Sequence, residues 1–188
     1  MEMGNTQLRK YEEYAYVLDY KSRGKSTTVH GRTGTIVIAL GEERLTLLEI
    51  LGIENSTFDI GERVYIGKEG RTKVQSVLGK INYGKISDSA KNEIPKVVES
   101  IVTTSEKRFV DYINDAQPLT PRVHALELIP GIGKTYMGVI IKEREKEPFQ
   151  NFHDIEERTG LKEPIKHLVQ RIVEEISEET RMNLFVKR

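Results

Sequence analysis

The residues of this chain best suited to chemistry stand in the run Leu128-Ile129-Pro130-Gly131-Ile132-Gly133-Lys134-Thr135. Pro130 ends the regular structure before it, and Gly131 and Gly133 permit positive φ, so the chain can double back over Ile132. Ile132 then pins the turn into a core. A helix follows, with Met137, Ile140 and Ile141 facing inward, and its first N–H groups have no acceptor within the helix. Next to Lys134, such groups suit an anion. The pattern predicts a phosphate clamp formed by Gly131, Ile132, Gly133, Lys134 and Thr135 that reads no base. Gly133-Lys134-Thr135 and Gly24-Lys25-Ser26 both imitate the end of a nucleotide-binding P-loop. That loop needs a further glycine five residues upstream, where this chain has Leu128 and Asp19.

No catalytic constellation stands beside the clamp. The histidines, His30, His124, His153 and His167, lack metal-ligand spacing, and there is no cysteine to act as nucleophile or thiolate ligand. His124, in an apolar stretch, reads as a satisfied core histidine. The acidic pairs Glu156-Glu157 and Glu174-Glu175 fall on helix faces that water covers. The expectation is therefore no enzyme, no cofactor and no bound metal, although an active site assembled from distant acids stays open.

Charge supplies the second group of candidates. The 29 basic and 29 acidic residues cancel, but they are not mixed evenly. Tyr20–Gly41 carries Lys21, Arg23, Lys25 and Arg32 without an acid, and Arg63–Lys85 carries six bases against Glu69. Lys25, Arg32, Lys68, Arg71 and Lys73 form the expected polyanion-facing set, with Tyr65 or Tyr83 as stacking surfaces for bases.

Positioning these residues requires a barrel and a helical domain. Tyr14–Leu18, Thr35–Leu40, Leu45–Leu51, Arg63–Gly67 and Thr72–Ile81 are short, β-branched and separated by glycine turns, as in a small antiparallel barrel of OB or SH3-like type. Helical signals take over near residue 85. Ser87 is an N-cap candidate, Pro95 suits a first turn, Val97, Val98, Ile101 and Val102 form a stripe, and Ser105-Glu106 restarts a helix through Phe109 and Ile113. Beyond the break at Gln117–Pro121, Thr120 is expected to cap a helix starting at Pro121. Asn151 is expected to cap another, with Asp154 reaching back. With 188 residues and 37% apolar content, the fold class expected is α+β. It comprises a barrel over 1–83, a helical connector over 84–117 and an all-α domain over 118–188. No run is apolar enough to span a membrane. The polar N-terminus does not resemble a signal peptide, which gives a cytoplasmic expectation.

Ile129-Pro130-Gly131-Ile132-Gly133 with Arg144 resembles the helix-hairpin-helix motif, and Pro148–Leu161 resembles the degenerate second copy of its paired form, which binds DNA or RNA through backbone phosphates. Leu47-Leu48-Glu49, Gly61–Gly67, Glu106–Val110, His124–Lys134 and Phe149–Arg158 together resemble an archaeal family catalogued as domain of unknown function 655 and regarded as predicted RNA-binding proteins. The resemblance spans residues 14–188 and implies an OB-like barrel joined to a paired helix-hairpin-helix. The function expected is non-enzymatic binding of nucleic acid by its phosphate backbone, with RNA favoured over DNA on the resemblance alone. The alternatives are a protein-interaction module in a translation or repair assembly and a nucleic-acid hydrolase. A protein partner and the oligomeric state are left open.

Overall fold

A computed structural model describes residues 11–178 and 180–188; the expectation about a signal peptide rests largely on the first ten residues and lies outside these. The described residues divide into two compact units, 11–91 with 187–188, and 92–178 with 180–186.

In the first unit, β1 (Tyr14–Lys25), β2 (Thr33–Gly41), β3 (Leu47–Gly52), β4 (Arg63–Tyr65) and β5 (Val74–Lys80) form one curled antiparallel sheet in the order β4-β1-β2-β3-β5. Residues Ala15, Val17, Val37, Ala39, Leu48, Ile50, Val64 and Val74 share its concave face and bury a core closed by Phe58 and Ile66. The five expected strands are all present, but β1 runs on through the polar stretch Asp19–Lys25. That stretch has no apolar alternation; β2 makes it a strand, pairing Tyr20 with Val37 and Lys25 with Thr33. Each ladder is antiparallel, so the two edges, β4 and β5, run in the same direction. No antiparallel ladder can join them, and the sheet is a half-barrel rather than a closed one.

Glu49 sits on β3 on the face opposite Leu48 and Ile50 and is buried. Its carboxylate receives the Ser26 hydroxyl, the Thr27 N–H and hydroxyl (both 3.0 Å) and the Thr28 hydroxyl (2.7 Å). The β1–β2 hairpin is thereby held down at its loop. Burial works against the charge on Glu49, yet the hydrogen bonds from Ser26, Thr27 and Thr28 outweigh it and keep the carboxyl below its ordinary value of 4.5.

In the second unit, α1 (Asp88–Thr104, its first residues in the first unit), α2 (Glu106–Asp115), α3 (Gly133–Lys146), α4 (Phe152–Thr159) and α5 (Pro164–Ser177) accompany a small ladder of β6 (Pro118–Thr120) and β7 (Val123–His124). Ile94, Ile101, Phe109, Ile113, Ile129, Ile140, Ile155 and Ile172 are fully buried there. The Ser87 hydroxyl accepts the Ala90 N–H at 3.1 Å, and α1 starts at that cap, so Pro95 stands inside the helix and not in its first turn. Thr120 caps no helix. Its hydroxyl accepts the N–H groups of Arg122 and Val123 (3.2 and 3.0 Å) and closes the β6–β7 turn. The segment after it is a 3-10 turn, Ala125–Leu128, with a capping box: the His124 ring accepts the Leu126 N–H, and Glu127 accepts the His124 N–H at 2.7 Å. Asn151 does cap α4, accepting the Asp154 N–H at 2.7 Å. Among the described residues no helix is long and apolar enough to cross a membrane.

Glu49→Ala should lower stability by about 2 kcal/mol, because the loop hydroxyls and N–H groups exchange a charged acceptor for water. A carboxylate with a lowered folded pKa contributes stability that is present above pH 4.5 and is lost as pH falls through the lowered value. Wild type and Glu49→Ala should therefore converge in melting temperature as the pH of thermal unfolding is lowered below that range.

Candidate functional site

The turn Pro130–Gly133 lies between the 3-10 segment and α3. Gly131 has φ +85° and Gly133 φ +56°, in the left-handed region where a β-carbon is costly. Ile132 is buried between them, at 3% exposure, and its N–H donates to the Ile129 carbonyl at 3.1 Å. The turn is thus anchored from below while Gly131, Gly133, Lys134 and Thr135 stay exposed. The first N–H groups of α3 have no acceptor within the helix, and the exposed Lys134 stands in its first turn, an arrangement that favours an anion.

A second turn, Gly160–Glu163, precedes α5, with Gly160 at φ +77° and Glu163 at φ +51°. His167 on α5 links the two turns. Its Nδ1 lies 2.9 Å from the Pro130 carbonyl and its Nε2 lies 3.1 Å from the Lys162 carbonyl. Lys162 in this second turn is exposed, as Lys134 is after the first. A β-carbon on Gly131 would land against the His167 ring, whereas one on Gly133 would meet open space. Arg144 points inward to donate to the Ile113 carbonyl at 2.9 Å, which makes it a clasp on α2. His124 is buried, and burial first, then the Arg144 charge, lower its pKa and favour the neutral ring that caps the 3-10 turn.

The basic candidates of the first unit separate into kinds. Lys25 and Arg32 are exposed at the end of the β1–β2 hairpin. Lys68 is exposed in the β4–β5 connection, its ammonium 5.1 Å from the centre of the Tyr11 ring. Arg71 and Lys73 are engaged within the fold. Arg71 donates to the carbonyls of Ile66, Gly67 and Gln75, and Lys73 pairs with Glu62 at 2.7 Å above the Phe58 ring. The sequence pattern did not single out Lys162, His167 or Glu49, although an acid in the apolar run Leu45–Leu51 is the mark that sets Glu49 apart.

The sequence profile described as "Protein of unknown function (DUF655)" matches residues 11–187. The chain belongs to this family. It is 41% identical over 181 residues to the "Uncharacterized protein MJ0038" of Methanocaldococcus jannaschii, covering 95% of this chain and 82% of that one. It also resembles the crystal structure of Af1531 from Archaeoglobus fulgidus, with a TM-score of 0.82 and 38% identity over 94% of this chain and 100% of that chain. For this DUF655 chain, the Pro130–Gly133 turn is the feature whose geometry is most open to direct testing.

Gly131→Ala should destabilise by about 2–3 kcal/mol, since the φ penalty and the collision with His167 act together, and Gly133→Ala by about 1 kcal/mol from φ alone. In a His167→Ala background the Gly131→Ala cost should fall to that of Gly133→Ala. A double-mutant cycle by urea unfolding checks this, and additive costs would remove His167 from the account.

Proposed function

We propose that this protein binds nucleic acid through the phosphate backbone with little sequence preference and without catalysing a reaction. RNA is preferred to DNA in this reading because of the family resemblance. The observation that carries it is the solvent-facing Gly131–Thr135 turn, where unpaired N–H groups and Lys134 stand together above a buried Ile132. Contacts of this kind position a ligand and carry no base information. In the same reading, the turns at 131–133 and 160–163 are the two copies of a paired helix-hairpin-helix. The segment before the first turn has shrunk to the 3-10 stretch Ala125–Leu128. The half-barrel is then an OB-like domain whose exposed Lys25, Arg32 and Lys68 add phosphate contacts. Arg71 and Lys73 serve its fold, since carbonyls and Glu62 already hold their charges.

Filter binding of single-stranded RNA across a salt series tests the proposal. Wild type should show a steep log–log salt dependence from released counterions. Lys134→Glu should weaken binding to every sequence about equally and reduce the slope by about 1. An absent or salt-independent interaction would favour the protein-interaction alternative, and unchanged affinity of a folded Lys134→Glu protein would remove the turn from the binding surface.

A further inference from the structure

The gap between the two edges of the half-barrel is itself a cleft, of about 530 Å³, within the size range of small-ligand sites. Its floor is apolar, from Leu48, Ile66 and Val77, and Tyr11 and Tyr65 line it as well. Arg44, Lys68 and Lys80 bring positive charge to its lining. Glu12 also lines it, but its carboxylate already accepts the N–H groups of Glu43 and Arg44 (2.9 and 2.5 Å). Glu13 lines it too and, through its carbonyl, receives the Ile66 N–H at 2.7 Å.

Two unpaired strand edges ordinarily invite a further strand. Here Arg71 stands in the way. Its guanidinium donates to Ile66 and Gly67 just beyond β4 and to Gln75 on β5, at 3.1, 2.6 and 3.1 Å. The two edges are thereby tied across the gap, and an added strand would have to displace all three bonds. A compact ligand can enter the cleft beside this tie without breaking it. Aromatic rings, an apolar floor and a cationic lining together match a flat base attached to a phosphate.

We propose that this cleft seats one unpaired nucleotide of a single strand, with its base against Tyr65 and the apolar floor and its phosphate toward Lys68 and Lys80. The assignment rests on the nucleic-acid reading above and makes it specific: the protein prefers unpaired strands to duplexes.

The test uses the full chain and compares a short single-stranded RNA with its blunt duplex by fluorescence anisotropy at one salt concentration. Wild type should favour the single strand by about tenfold, the scale of one stacked base. Val77→Phe fills the floor, and the double substitution Lys68→Ala with Lys80→Ala leaves the core intact should the filled variant misfold. Both should bring the ratio of single-strand to duplex affinity to about one; Val77→Phe should do so with duplex binding unchanged, whereas the lysine pair should also lower duplex binding through the phosphate contact that Lys68 makes. Photo-cross-linking of thiouridine-substituted RNA should mark peptides containing Tyr11 or Tyr65. Equal binding of single strand and duplex by wild type overturns the proposal. So do folded variants that keep the preference with cross-links confined to 131–135, a result that leaves the phosphate reading of the turn standing. If wild type binds neither RNA, both readings fall together.

Discussion

A backbone N–H outside a helix or ladder needs another acceptor, and in this chain that acceptor is repeatedly a carboxylate rather than another peptide group. Glu12 receives two N–H groups from the β2–β3 loop, Glu49 holds the β1–β2 loop, and Glu106 takes the Phe152 N–H at the start of α4. In the second unit the buried Glu175 accepts the N–H groups of Leu184, Phe185 and Val186 at 2.9–3.0 Å while Arg171 neutralises it at 2.9 Å. Each of these carboxylates fixes a segment whose own backbone has no ladder to join. Charge-assisted bonds of this kind are stronger than peptide–peptide ones, so short loops are held without extra length or cysteine.

This use of acids changes what the neutral formal charge signifies. Many of the 29 acidic side chains are committed to N–H groups or to neighbouring bases, as Glu62 is to Lys73 and Glu42 to Arg63. Lys25, Arg32, Lys68, Lys134 and Lys162 remain at the surface. A balance of zero therefore describes the composition of the chain, not the field at a given turn. The distinction between exposed and engaged bases is also what divides Lys68 from Arg71 and Lys73, which follow it within five residues.

The elements that follow from local chemistry were legible in the sequence. Five β-branched runs set off by glycine turns became five strands, Asn151 became a cap, and Pro130-Gly131-Ile132-Gly133 became a turn with two positive-φ glycines. What escaped depends on partners distant in the chain. The polar end of β1 is a strand because β2 lies beside it. Thr120-Pro121 has the local chemistry of a helix start, but the same hydroxyl equally closes a β-turn, and the ladder with Val123 and His124 decides between them. The engagement of Arg71 follows from the curl that brings the carbonyls of 66, 67 and 75 around one guanidinium, and no spacing rule reports it.

The Pro130–Gly133 turn shows how a locally strained element is kept in one shape. Two glycines lower the cost of the backbone conformation but also widen the unfolded ensemble, so the turn needs contacts that select a single geometry. Ile132 supplies one from beneath by burying its side chain, and His167 supplies the other from the side, packed so closely on Gly131 that no β-carbon fits. With floor and flank fixed, the exposed N–H groups at the start of α3 keep their directions in the absence of any ligand. An anion arriving there meets donors already ordered, and the entropy of arranging them has been met by the packing of a hydrophobic core rather than by the binding step.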